Sequence, residues 1–177
     1  MKSKPVILAI CPIQTPDGVF AAHYSASGLA RLDFPGRKKR MATVIDRRCS
    51  PAVRVWHKQA GREVARVLQG RPAGPLPPLD LAGATPFQIM VWTALLEIPP
   101  GKTKSYGQLA DALAAPGAAR AVGSACGANP IPLLIPCHRV LAAGGRLGGF
   151  SGGLDWKRRL LSREKCEDAI LLSQILA

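Results

Sequence analysis

TPFQIMVWTALLEIPPGKTKSYGQLADAL, residues 85–113, followed by RAVGSACGANPIPLLIPCHRV, residues 120–140, is the stretch on which the fold turns. Thr85-Pro86-Phe87-Gln88 predicts a helix start, with Thr at the cap, Pro at the first helical position and Gln placed to close a capping box. Phe87, Met90, Val91, Ala94, Leu95 and Ile98 then recur at helical spacing, and Pro99-Pro100-Gly101 ends the run. Ser105-Tyr106-Gly107-Gln108 is a second capping box, opening a short helix with Tyr106, Leu109, Ala110 and Leu113 on one face. Beyond a break at Pro116-Gly117, a third helix is predicted over 118–128 with Ala121, Val122 and Ala125 inward. Two short helices across a tight break are the pattern of a helix-turn-helix, although plain helical hairpins share it. The second of the two carries one charged side chain, Arg120, where a groove-reading helix presents several polar groups. A smooth helix with a single Arg suits a shallow approach to DNA in which the Arg enters the base stack.

Chemistry concentrates just after that helix. Pro130, Pro132 and Pro136 fix an extended path that ends in Cys137-His138-Arg139-Val140. Pro136 can start a helical turn, which places Cys137 in the positive field of a helix N-terminus with His138 adjacent and Arg139 nearby. The expectation is a thiol pKa below its usual value of about 8.5, hence an activated nucleophile. The residues alone leave a second option open, a small buried hydrophobe, because neighbouring Cys and His need not touch. Cys126, one turn after Val122, reads as a packing residue.

Residues 144–153 hold six glycines in ten positions. The Gly-Lys-Ser/Thr ending of a phosphate loop is missing, so a loop whose backbone closely approaches a flat ligand fits better. An amphipathic helix from Leu154 to about Lys165 sets Trp156 and Leu160 inward and ends near Glu164. That carboxylate is placed either to orient His138 or, by default, on the surface.

Outward from this centre, RPAGPLPPLDLAGATP (residues 71–86) has five prolines and two glycines and reads as a linker or extended connection. Before it, VILAI and the segments around Thr15-Pro16-Asp17-Gly18 read as short strands joined by turns. Residues 52–69 place Val53, Trp56, Ala60, Val64, Val67 and Leu68 on one helical face. The N-terminal part is therefore a small α+β unit. Over 177 residues the chain carries a formal charge of +13, of which residues 1–85 hold 14 basic and 5 acidic groups, including RKKR at 37–40 and Arg47-Arg48. Nucleic acid is the first partner this implies and an anionic membrane surface the second. A hydrophobic fraction of 47% excludes a disordered polybasic tail. No apolar run approaches the roughly 18–20 residues of a membrane span, and prolines interrupt the short apolar start that would make a signal peptide, so an intracellular protein is expected. The five cysteines are scattered with no CxxC pair, and a mixed site from Cys11, His23, Cys49 and His57 matches no zinc spacing.

Residues 85–113 and 120–140, with GGFSGGLDWKRRLLSRE (148–164), together resemble the O6-alkylguanine-DNA alkyltransferases. Similarity is strong over 79–164 and thin before it. Its most specific elements are IPCHRV, with Cys137 eight residues after Asn129, and Tyr106 fourteen residues before Arg120. The resemblance implies an α/β N-terminal domain with a ribonuclease-H-like sheet (1–78) and a linker (79–85). A mainly α-helical, winged-helix-like domain with a helix-turn-helix then binds DNA and accepts the alkyl group (86–166), followed by a tail (167–177). It implies that Cys137 is the alkyl acceptor and that His138, through a water, and Glu164 activate it. Tyr106 is expected to turn the target phosphate and donate to guanine N3, and Arg120 to hold the place of the flipped base. Ser105, Ala119 and Gly123 complete the DNA-facing surface, and Asn129 joins it to the acceptor segment. The backbone of Cys137, Val140 and Ser151 would read the guanine edge, with Phe150 as an apolar wall where some members have Tyr.

The implied activity is stoichiometric transfer of the alkyl group from O6-alkylguanine in duplex DNA to Cys137, with O4-alkylthymine as a second candidate substrate. The thioether formed is stable and the motif offers no second nucleophile, so one turnover per molecule is expected. No metal and no cofactor are expected, although some members carry a structural zinc. A cytoplasmic monomer, nucleoid-associated when bound to DNA and without membrane contact, completes the expectation. Three rivals remain on the residues: a non-catalytic alkyl-lesion binder, which would lack the thiol; a helix-turn-helix regulator, which would need a polar recognition helix; and a Cys-His hydrolase, which would leave Tyr106 and Arg120 without roles.

Overall fold

The computed structural model describes residues 3–36 and 49–166. The basic runs at 37–40 and 47–48 and the tail at 167–177 lie outside the described residues. The chain opens with an antiparallel meander, β1 (Ala9–Thr15), β2 (Gly18–Tyr24) and β3 (Leu29–Asp33), in that spatial order. Ala9, Cys11 and Ile13 alternate inward along β1, the period-two pattern of a half-buried strand. The β1–β2 turn is tied by Thr15, whose hydroxyl donates to the Gly18 carbonyl at 2.7 Å and accepts from the Asp17 amide at 3.2 Å. VILAI does not form a strand throughout. β1 begins at Ala9 because β2 ends at Tyr24, which leaves Val6 and Ile7 without a partner strand and exposed.

Helix α1 (Pro51–Leu68) starts on a Ser50 cap that accepts from the Val53 amide, and buries the expected Val53, Ala60, Val64, Val67 and Leu68, with Trp56 half-buried. The proline-rich stretch after it is tied down as an extended connection. Buried Glu63 accepts from the Gly74 amide at 2.5 Å, Asp80 donates its amide to the Leu29 carbonyl, and Ser25 donates to the Asp80 carboxylate at 2.5 Å.

Both capping boxes form. Thr85–Gln88 opens α2 (Pro86–Leu96), and Ser105–Gln108 opens α3 (Tyr106–Ala112), which stands across a short break from α4 (Ala119–Gly127). Two expectations shift by part of a turn. α2 buries Val91, Trp92 and Leu95 and exposes Met90, because a helix this apolar all round does not fix its own inward face. α4 buries Val122, Ala125 and Cys126, which stand at i, i+3 and i+4, so Ala121, about 100° away, is exposed. Trp92 locks the two helices by donating its indole N–H to the Ala125 carbonyl at 2.8 Å.

A two-residue parallel pair, β4 (Lys104–Ser105) with β5 (Val140–Leu141), joins the start of α3 to the segment just after Cys137. Helix α5 (Leu154–Arg163) closes the described chain, anchored by a bidentate ion pair from Arg163 to Asp17 in the β1–β2 turn at 2.7 and 2.8 Å. One contiguous apolar core runs from Ala9 in β1 to Leu160 in α5, so the sheet and the helical part share an interior.

Candidate active site

A cleft of about 840 Å³ opens between α3, α4 and the glycine loop, with Cys137 lining it. Its walls contain eight of the singled-out residues: Ser105, Tyr106, Ala119, Arg120, Gly123, Cys137, Phe150 and Ser151. Tyr106 and the thiol share this cleft because β4 hands directly into α3 while its partner β5 leaves the Cys137 turn. Gly123 stands beside the Tyr106 ring, where a Cβ would make ordinary van der Waals contact at 3.9 Å. Arg120 is exposed at the rim, the one charged side chain of α4.

Asn129, His138, Val140 and Glu164 stand behind the wall rather than in it. Buried Asn129 donates from Nδ2 to Cys137 Sγ at 3.2 Å and to the Ile135 carbonyl at 2.9 Å, while its Oδ1 accepts from the Ile131 amide. The side chain therefore braces the extended Pro-rich path and touches the thiol at once. His138 is fully buried, with Nε2 2.9 Å from Glu164 Oε1. Val140 is buried, and its carbonyl accepts from Lys157 Nζ at 2.6 Å.

The default surface placement of Glu164 is overturned. Gly70, just past α1, has φ +71° and would put a Cβ 2.0 Å from the Arg163 carbonyl, so α1 packs directly against the end of α5. Gly101, at φ +78°, would put a Cβ 2.9 Å from the Glu164 carbonyl and donates its amide toward the carboxylate. These two left-handed glycines admit the backbone that turns Glu164 inward.

Arg139 completes the group. It is buried and donates to both Glu164 oxygens at 2.8–3.1 Å and to the Ile98 carbonyl at 2.5 Å. Burial alone would raise the Glu164 pKa, but the hydrogen bonds and charges of His138 and Arg139 outweigh it and hold the carboxyl at about 2. For His138, burial above all, with the Arg139 and Lys157 charges, lowers the pKa in spite of Glu164, so the ring is neutral near pH 7. With Glu164 accepting at Nε2, that nitrogen carries the proton and Nδ1 keeps its lone pair, with no protein hydrogen-bond partner among the described residues.

The expected low pKa of Cys137 is corrected. Burial pushes the thiol up to about 11, against the smaller lowering effects of the Asn129 hydrogen bond, the Lys157 charge and its own backbone. The turn at Cys137–Arg139 is three residues of 3₁₀ helix, too short to supply a helix-terminal field, and Arg139 faces Glu164 instead of the sulfur. The resting pocket keeps the nucleophile protonated.

Lys157 has no place in the sequence reading. It is fully buried, and Nζ donates to the carbonyls of Val140 and Leu147 and, at 3.5 Å, of Gly149, tying the glycine loop to the acceptor segment. Burial lowers its pKa to about 8, opposed by Cys137 and Cys126. Its signal was a charge on the same α5 face as Leu160 and Leu161. Cys126, read as packing, is buried but also lines the cleft. Among the described residues no three His, Cys, Asp or Glu side chains converge as metal ligands, and no helix is long and apolar enough to cross a membrane.

Fold and cleft together define a protein of mixed helices and a small sheet, with a buried thiol in a cleft beside two short helices. The family described as "6-O-methylguanine DNA methyltransferase, DNA binding domain" matches residues 86–166. A methylated-DNA--protein-cysteine methyltransferase of Mycobacterium bovis is 60% identical over 87 residues, 49% of this chain and 52% of that protein. The chain thus spans about half the length of the mycobacterial relatives it matches. A protein of the same name from Methanosarcina barkeri is 41% identical over 156 residues, covering 86% of this chain and 94% of its own. The crystal structure of Mycobacterium tuberculosis OGT in complex with DNA is similar with a TM-score of 0.70 at 36% identity, over 92% of this chain and 98% of that one. The chain belongs to the methylated-DNA–protein-cysteine methyltransferase family.

Proposed function

We propose that the protein repairs duplex DNA by moving the alkyl group of O6-alkylguanine irreversibly onto Cys137. The observation that carries this reading is a thiol at the foot of a cleft rimmed by a nearly uncharged helix and one exposed arginine. The target carbon lies inside the base stack, so the nucleotide must turn out of the duplex before the sulfur reaches it. Arg120 fills the space left behind, and the small side chains Ala119 and Gly123 let the helix lie close to the backbone, with Ser105 and Tyr106 beside it.

The sulfur–carbon bond forms as the carbon–O6 bond breaks, and the electron pair departs on guanine. Tyr106, whose pKa burial raises, stays protonated and donates to N3, offsetting the charge developing there. The thiol proton passes to His138 Nδ1 through a water, and the ionised Glu164 stabilises the imidazolium that results. Asn129 supports the thiolate, the backbone of Cys137, Val140 and Ser151 reads the base edge, and Phe150 bounds the alkyl group. No cofactor or metal enters, and one thiol serves one lesion.

The finer architecture belongs to the same proposal: a ribonuclease-H-like unit over 1–78, a connection at 79–85, and a winged-helix-like unit over 86–166 with β4 and β5 as a reduced wing. So do action as a monomer and a cytoplasmic location. A non-catalytic lesion binder is disfavoured by the thiol itself, and a sequence-reading regulator by the Ala- and Gly-rich face of α4.

The test is incubation with duplex DNA carrying radiolabelled O6-methylguanine. Label is expected on wild-type protein and absent from Cys137→Ala. Folded wild-type protein that binds the DNA and takes up no label overturns the reading.

A further inference from the structure

We propose that Phe34, at the end of the N-terminal sheet, is a positioning residue that sets the alkyl wall of the cleft through Phe150. The inference rests on the alkyl-transfer reading of the cleft and adds a size-selecting element outside it.

Phe34 follows β3 directly and is buried. Its ring sits among three others, 5.3 Å from Phe20, 4.9 Å from Trp156 of α5 and 5.5 Å from Phe150 of the glycine loop, centroid to centroid. The Phe34–Phe150 pair meets edge to face at 73°, the arrangement that the ring quadrupoles favour. Phe150 also stands nearly perpendicular to the His138 ring, 6.3 Å away centroid to centroid. The wall residue thus contacts both a ring of the N-terminal sheet and the imidazole of His138. Gly152 passes beside the pair so closely that a Cβ would fall 2.8 Å from Phe34 Cδ2 and 2.9 Å from Phe150 Cε1.

A loop with this many glycines has little of its own to fix a side chain. Lys157 fixes the carbonyls of Leu147 and Gly149, both just before Phe150, but not the Phe150 ring. That task falls to Phe34, which is itself fixed by Phe20 and Trp156. A methyl group makes few contacts with the wall, whereas a benzyl group must lie along it, so the wall position bears on large groups far more than on small ones.

The experiment measures transfer to Cys137 from duplexes carrying O6-methylguanine or O6-benzylguanine at the same position. Phe34→Ala lets Phe150 swing away and is expected to lower the benzyl-to-methyl rate ratio about tenfold, with Phe34→Leu, which keeps the site filled, lowering it about threefold. In a Phe150→Ala background the same Phe34 substitutions should move the ratio less than about twofold, because the intermediary is gone. Should Phe34→Ala fail to fold, Phe34→Leu carries the test. An unmoved ratio in the single variants, or an equal shift in the Phe150→Ala background, overturns the inference while leaving alkyl transfer intact. Failure of the wild type to accept either group overturns the transfer reading and this inference with it.

Discussion

Glu164 Oε1 lies 2.9 Å from His138 Nε2 and accepts from Arg139 at 2.8 Å, so one buried carboxylate oxygen serves the imidazole and a guanidinium together. The arrangement fixes the tautomer of His138 and neutralises Arg139 in the same stroke. Glu164→Gln can keep a hydrogen bond to His138, but it leaves the Arg139 charge buried without a counterion. We expect a loss of about 3 kcal/mol in urea unfolding, since removing one partner of a buried pair strands the other. Transfer should slow by roughly a hundredfold, as expected when the orienting group behind a catalytic base is lost. A variant as stable as wild type would show that Arg139 finds other neutralisation.

The same pair shapes acid stability. Glu164 is held at about 2 when folded, against 4.5 for the free group. Its contribution is therefore fully present above pH 4.5 and is lost as pH falls toward 2. His138, lowered by burial, works in the same direction, because the unfolded ring takes a proton below about 6.5 that the folded one resists. The stability gap between wild type and Glu164→Gln should narrow steadily between pH 4.5 and 2.5, followed by urea midpoints. A constant gap would separate the carboxyl from the acid transition.

Protonation of the acceptor thiol gives a third measurement. With Cys137 near 11, iodoacetamide should label it, in protein free of DNA, at least about a hundredfold more slowly at pH 7.5 than a free thiol of pKa about 8.5. The rate should climb about tenfold per pH unit through pH 10, as thiolate chemistry does. Lys157→Met removes a charge that favours the thiolate, so labelling should fall further below pH 8, where Lys157 is still charged. Peptide mapping keeps Cys126 and Cys137 apart; labelling of Cys137 at a free-thiol rate would remove the burial argument.

How much of this was legible in the sequence depends on whether the signal was local. Capping boxes are local, and Thr85 and Ser105 begin their helices where the residues predicted. The spacing of Cys137, Asn129, Tyr106 and Arg120 carries the family pattern, and three of the four line the cleft, with Asn129 touching the sulfur from behind. The ionisation of Cys137 was misread because adjacency in sequence placed His138 and Arg139 beside it, whereas both turn toward Glu164. Lys157 and Phe34 were invisible for a related reason: each acts on the glycine loop from an element remote in sequence or from within a helix whose pattern does not name its partners. Phe34 in particular belongs to a segment where the family resemblance is thin, and only the shared core brings it to Phe150.

Arg120 separates recognition of DNA from the chemistry of transfer. Its side chain is exposed at the cleft rim and makes no hydrogen bond or ion pair with Asn129, which touches the thiol, or with the His138–Glu164 pair. In duplex DNA it must hold open the space that the flipped nucleotide leaves, an energy of a few kcal/mol that a free base does not require. Arg120→Ala should therefore slow transfer from O6-methylguanine in duplex DNA by roughly 30-fold or more, and transfer from free O6-benzylguanine by less than about twofold. Thermal unfolding should be unmoved, because an exposed arginine with no partner among the described residues contributes little to stability. Equal losses with both substrates would place Arg120 in the reaction step itself and take away its role as the residue that replaces the base.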